Sequence, residues 1–69
     1  MSVARVTEIS STSNKSFEDA IQHGIARSVK TLRNVKGAWI KEQEVTVEGD
    51  RVVAYKVIMK VTFVLEDAV

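Results

Sequence analysis

R-V-V-A-Y-K-V-I-M-K-V-T-F-V-L, residues Arg51 to Leu65, places Val53, Tyr55, Val57, Met59, Val61, Phe63 and Leu65 at every second position. Successive side chains of an extended strand point to opposite faces, so seven apolar residues at period two predict a strand with one face on a core. The interleaved set, Val52, Ala54, Lys56, Ile58, Lys60, Thr62 and Val64, is too apolar for a face fully in water. Fully extended, this segment would run about 50 Å at ~3.3 Å per residue. A compact chain of this length is expected to be only about 28 Å across, with a radius of gyration near ~11 Å. The strand must therefore coil around its cover, project into a neighbour, or do both.

Just before it, Glu48-Gly49-Asp50-Arg51 reads as a tight hairpin, and the mixed run Ala38 to Val47 reads as the partner strand. Further back, Phe17, Ala20, Ile21, Gly24, Ile25, Ser28, Leu32 and Val35 fall on one helical stripe. Ser16 is the expected N-cap, with Glu18 and Asp19 in the first turn where the helix dipole favours negative charge. Lys30, Arg33 and Lys36 crowd the far end, and Gly37 is the expected stop, which gives a helix from about Ser16 to Val35. Gly24 inside that helix predicts close backbone packing. Val3 to Ile9 reads as a first strand, and the polar run Ser10 to Lys15 as a loop. With short connections only the last strand can lie antiparallel to both others. The expected fold is therefore α+β, a β-α-β-β chain whose three-stranded antiparallel sheet, in the order 2-3-1, wraps around one long helix. One domain spanning 1–69 is expected.

The chain has 69 residues, no Cys, one His and a net charge of +1. Without Cys there are no disulfides, thiolate zinc sites or iron–sulfur clusters, and His23 alone cannot build a histidine-rich metal site. Ten basic against nine acidic residues, interspersed, argue against nucleic acid as a partner. No segment has the length of an apolar membrane span and Met1 to Arg5 shows no signal-peptide pattern, so the expectation is a soluble cytoplasmic protein with no membrane partner. A core this small seldom suffices alone, and a single helix can cover only one sheet face. The remaining apolar surface points to a homo-oligomer. Enzymatic activity is not expected, because no acid, base and nucleophile form a recognisable constellation and His23 reads as an ordinary helix residue.

Three strings carry a resemblance to the dodecin family: E-I-S-S-T-S at Glu8 to Ser13, A-I-Q-H-G-I-A-R-S-V-K-T-L-R at Ala20 to Arg33, and K-V-T-F-V-L-E at Lys60 to Glu66. The resemblance runs from Val3 to Asp67. It implies a hollow homododecamer that stores or sequesters flavin, riboflavin or FMN, between subunits. The family's flavin site implies a Trp opening the second strand, stacked on the isoalloxazine, and a Gln on the third. Aligned without gaps from Thr31-Leu32-Arg33, the stacking position falls on Gly37 and the Gln position on Lys56; Val64 stands where some dodecins carry an Arg. Trp39, two residues beyond Gly37 and on the same face of an extended strand, is either a displaced ligand platform or an anchor in a subunit contact. Lys56 is either a contact for an acidic ligand group or a salt-bridged strand lysine.

Glu42, Glu44 and Glu48 alternate along the second strand and offer oxygen ligands to a divalent cation, above all if symmetry brings copies together. Dodecin-like chains without the stacking Trp include some associated with calcium, so the resemblance implies calcium as the second candidate ligand. A shell without a tight ligand is the third.

Overall fold

The structure, a computed structural model, describes residues 3–65. Glu66 and Asp67, at the end of the family-like stretch, lie outside them. The elements follow the order β1 (Ala4–Ser13), α1 (Phe17–Ser28), β2 (Val35–Glu48) and β3 (Arg51–Val64). The three strands form one antiparallel sheet in the order β1-β3-β2, with β3 central as the strand directions predict. Val57, Met59 and Val61 on its helix-facing side are fully buried and meet Ala20, with Ile9, Phe17, Ile21, Ile25, Leu32 and Val35 packed around them. Tyr55 meets Phe17 edge to face at 5.2 Å.

The helix starts as expected. The Ser16 side chain accepts from the Asp19 N–H at 2.9 Å, satisfying one otherwise orphaned donor, and Glu18 and Asp19 occupy the first turn. It ends much earlier than its apolar stripe suggests, at Ser28 rather than Val35, with Arg27 as the basic residue of the last turn. Beyond it the chain tightens: Lys30 N–H bonds Arg27 O and Thr31 N–H bonds Ser28 O, both i to i−3 contacts. Asn34, not Gly37, then takes the left-handed backbone, at φ 61°, a conformation Asn tolerates better than most residues. Asn34 O accepts from Val64 N–H at 3.0 Å, so β2 begins at Val35 instead of Ala38. Leu32 and Val35 do reach the core, but from a turn and a strand. Lys30, Arg33 and Lys36 lie outside the helix.

At the other end β1 is longer than its apolar part. Ser10 to Ser13, expected to be a loop, continue the strand, because β3 is long enough to pair them as far as Tyr55. Gly49 makes the two-residue hairpin turn with φ 66°, the positive value confined to the first central residue as in a II′ turn.

Gly24 is where helix and sheet come closest. A Cβ there would collide with the Met59 methyl and stand 3.1 Å from Ser11 Cβ. Twelve helical residues span about 18 Å, whereas the fourteen of β3 span about 46 Å, so the sheet outruns its cover. The molecule is accordingly elongated, 56 × 19 × 13 Å with a radius of gyration of 14.4 Å, instead of the compact globule that chain length suggests.

Gly24→Ala should therefore destabilise the fold by about 1–2 kcal/mol, the gain of roughly 1 kcal/mol in helix propensity being outweighed by overpacking against a buried Met59. Met59→Ala alone should cost about 2–5 kcal/mol. Combined, the two should cost less than their sum in a denaturant titration, since the truncated Met leaves room for the new methyl.

Candidate functional site

The sheet face turned away from α1 is open, and the register decides which residues share it. On β3 this face carries Lys56, Ile58, Lys60 and Thr62; opposite them on β2 stand Glu44, Glu42, Trp39 and Gly37 respectively. Strict alternation would put Trp39 and Glu42 on opposite faces. An extra residue at Lys41, between the pairs Ile40↔Met59 and Glu42↔Ile58, is a β-bulge that resets the alternation and brings Trp39, Glu42 and Glu44 to one side. A second extra residue, Lys36, separates Val35, opposite Phe63 on the core side, from Gly37 on the open side.

Trp39 heads a row across all three strands, because Lys60 lies opposite it and Glu8 of β1 lies opposite Lys60. The Lys60 ammonium sits 5.9 Å from the Trp39 ring centroid and 4.0 Å from Glu8 Oε1, while Lys41 Nζ is 3.4 Å from the same oxygen. Half of the Trp39 surface, 51%, remains exposed. One step away, nothing comes within 4 Å of where a side chain at Gly37 would begin, so the ring borders open space. In the other direction Lys56 pairs with Glu44, Nζ to Oε1 at 3.6 Å. These pairs are solvent-exposed and worth at most about 1 kcal/mol each. Their effect is to balance the charge of the face. What remains is an aromatic platform beside a gap, suited to stacking a planar ring and not to gripping an anion.

Of the residues singled out in the sequence, Gly37, Trp39, Lys56, Glu42 and Glu44 are brought to this one face. Glu48 is separated from Glu44 by a further irregularity at Thr46/Val47 and lies at the hairpin end opposite Arg51. Among the described residues, no group of three or more His, Cys, Asp or Glu side chains is arranged to hold a metal ion. Lys60, Glu8 and Lys41 belong to the Trp39 row but carry no individual mark in the sequence. Only the pairing register joins them to it.

His23 is distant from this face, exposed on α1, with Nε2 3.7 Å from Asp19 Oδ1. Asp19 joins the helix start to the end of β1: Ser13 Oγ donates to its Oδ2 at 2.6 Å, and Ser13 Oγ in turn accepts from Lys15 N–H. That hydrogen bond is the main cause holding the Asp19 carboxyl below the ordinary carboxylate range, with partial burial opposing it and His23 and Lys15 assisting. The group is a structural tie. Among the described residues no helix is long and apolar enough to cross a membrane.

The dodecin family model matches residues 3–66. A curated dodecin from Thermus thermophilus is 37% identical over 65 residues, covering 94% of each chain. The chain belongs to the dodecin family. A crystal structure of an arginine-to-alanine variant of the Thermus thermophilus dodecin superposes with a TM-score of 0.91 at 35% identity, covering 99% of this chain and 100% of that one. Dodecin from Streptomyces davaonensis gives 0.89 at 32% identity, over 96% of this chain and 97% of that one. The calcium dodecin of Mycobacterium tuberculosis, described as calcium-chelating, gives 0.79 at 24% identity over 97% and 96%, a likeness of fold alone. The dodecin fold is thus retained here.

Ser13→Ala should raise the Asp19 pKa toward its ordinary value, which carboxyl-detected NMR titration would register. Because the folded-state pKa is lowered, the stability this carboxylate adds is present above its unfolded pKa of about 3.9 and is lost as pH falls through the folded value. The variant should accordingly lose less stability than the parent when acidified below about pH 4.

Proposed function

We propose that this chain is a non-enzymatic small-ligand store of the dodecin type, assembling as a homo-oligomeric shell, a dodecamer by family analogy, and holding flavin on the open sheet face. The observation that carries this reading is Trp39, half exposed beside the vacant space at Gly37 on a face the single helix does not reach. The residues present fit an isoalloxazine in one respect that matters, an accessible aromatic platform. The platform is displaced by about 6–7 Å along β2 from the position expected to stack. Bound flavin would supply its ring for stacking, and Trp39 would orient it while the balanced lysine–glutamate pairs leave the ring system, not a phosphate, as the principal handle. Riboflavin and FMN are accordingly expected to bind with similar strength.

A second reading is favoured by Glu42 and Glu44 sharing the face. Copies related by symmetry would pool these carboxylates around a divalent cation such as calcium, one protomer supplying too few ligands by itself.

Titrating riboflavin or FMN into the protein should quench flavin fluorescence, and Trp39→Ala should weaken binding by about 5- to 150-fold, the equivalent of 1–3 kcal/mol for a stacked ring. Absence of quenching by the assembled protein at micromolar concentration would remove the flavin reading. Calorimetric calcium binding, diminished by Glu42→Gln or Glu44→Gln, would then support the second.

A further inference from the structure

On the side of the sheet opposite Trp39, a groove of about 450 Å³ opens between β1 and α1, within the roughly 300–1,000 Å³ of small-molecule sites. Its floor is Thr7, Ile9 and Ser11, which share the helix-facing side of β1 with the buried Val61, Met59 and Val57 paired to them. Its wall is Gly24, Arg27, Ser28 and Thr31, spaced i, i+3, i+4 and i+7 along α1 and the turn after it, a single stripe. Glycine at 24 keeps the Ser11 hydroxyl against bare helix backbone, since a Cβ there would begin 3.5 Å from Ser11 Oγ.

Two features of the wall point to an occupant. Ser28 is only 6% exposed, and its carbonyl is used, accepting from the N–H groups of Thr31 and Leu32, yet its hydroxyl makes no hydrogen bond to any described residue. A hydroxyl taken that far out of water needs a partner, and the groove that Ser28 lines is the side from which one can come. Arg27, exposed at the rim, has no ion-pair partner among the described residues. The other titratable side chain at the groove, His23, faces Asp19 at 3.7 Å, and Asp19 in turn is tied to Ser13.

One unpaired guanidinium balances one negative charge. Its planar fork matches a carboxylate through two parallel N–H···O bonds, whereas a phosphate dianion would call for a second free cation, which His23, turned to Asp19, does not supply. The half-buried Ile9 and Leu32 offer the apolar contact on which a short hydrocarbon chain can lie. We propose that this groove binds a small monocarboxylate with a short aliphatic body, its carboxylate held by Arg27 and the Ser28 hydroxyl and its chain laid on Ile9 and Leu32. The site is separated from the Trp39 face by the sheet itself, so it neither needs a flavin nor competes with one.

Hexanoate is the probe, with hexanamide as its uncharged counterpart, both titrated into the purified full chain and read by saturation-transfer NMR. Hexanoate should bind saturably in about the millimolar range, as suits a small ligand on a half-open surface, and hexanamide at least about tenfold more weakly. Arg27→Gln, with unchanged far-UV circular dichroism, should weaken hexanoate at least about tenfold, and Ser28→Ala about three- to tenfold. Added riboflavin should not displace it. No saturable hexanoate binding up to about 20 mM, equal binding of acid and amide, full affinity in Arg27→Gln, or displacement by riboflavin would each overturn the site. The acid–amide comparison uses the parent alone and stands whether or not a variant folds.

Discussion

The contact between the α1 backbone at Gly24 and the Met59 side chain on the central strand governs this molecule. It draws the helix onto β1 and β3, close enough that a single added methyl would collide with Met59 and crowd Ser11. A helix seated there is about 10–12 Å wide with its side chains and cannot also cover β2. The apolar residues of β2 and of the hairpin end are exposed as a result, among them Trp39, Ile40, Val45, Val47 and Val52. Elongation, the groove along β1 and the open apolar side of β2 are consequences of one short helix committed to two strands. A chain of this size buries only a modest share of its surface, and the exposed apolar residues of β2 follow from the same constraint.

The second determinant is the bulge at Lys41. Two residues earlier Trp39 lies on the open face, and one residue later Glu42 does too, although their spacing is odd. The same sequence paired regularly, with no bulge to absorb Lys41, would send the carboxylates to the helix side and leave Trp39 among Lys56 and Lys60 with no acidic counterpart on β2. The inserted residue therefore sets the charge balance of the face as well as its geometry. It also lets Lys41 reach Glu8 on the far edge strand, tying the row together across β3.

Much of the fold could be read from the chain because its signals are local. The alternation of Val53 to Leu65, the Gly49-Asp50 turn and the Ser16 cap each rest on neighbouring residues, and each holds. The helix length misled because Leu32 and Val35 continue its stripe; burial selects apolar residues at those positions whether they arrive by helix, turn or strand. Ser10 to Ser13 misled in the opposite way, since their polarity favours a loop while a waiting partner strand imposes extension. The residues that share the open face could be singled out in the sequence, but their grouping could not. Gly37, Trp39, Lys56, Glu42 and Glu44 stand out individually, but a bulge is a property of pairing, and Lys60 and Glu8 join the row only through register.

Charge balance also separates what holds a ligand from what selects it. Each lysine near Trp39 already faces a carboxylate, so an incoming anion would have to displace an existing partner and gain little. Stacking on the ring has no such competitor on its exposed side. Exposed ion pairs are weak in water and strengthen when a neighbouring copy excludes it. In the proposed shell the same lysine–glutamate pairs would become stiffer supports for Trp39 while remaining closed to anions. Under that proposal ligand choice on this face would fall to ring shape and to the depth at which water is excluded, the latter set by the way copies meet rather than by any side chain of one protomer.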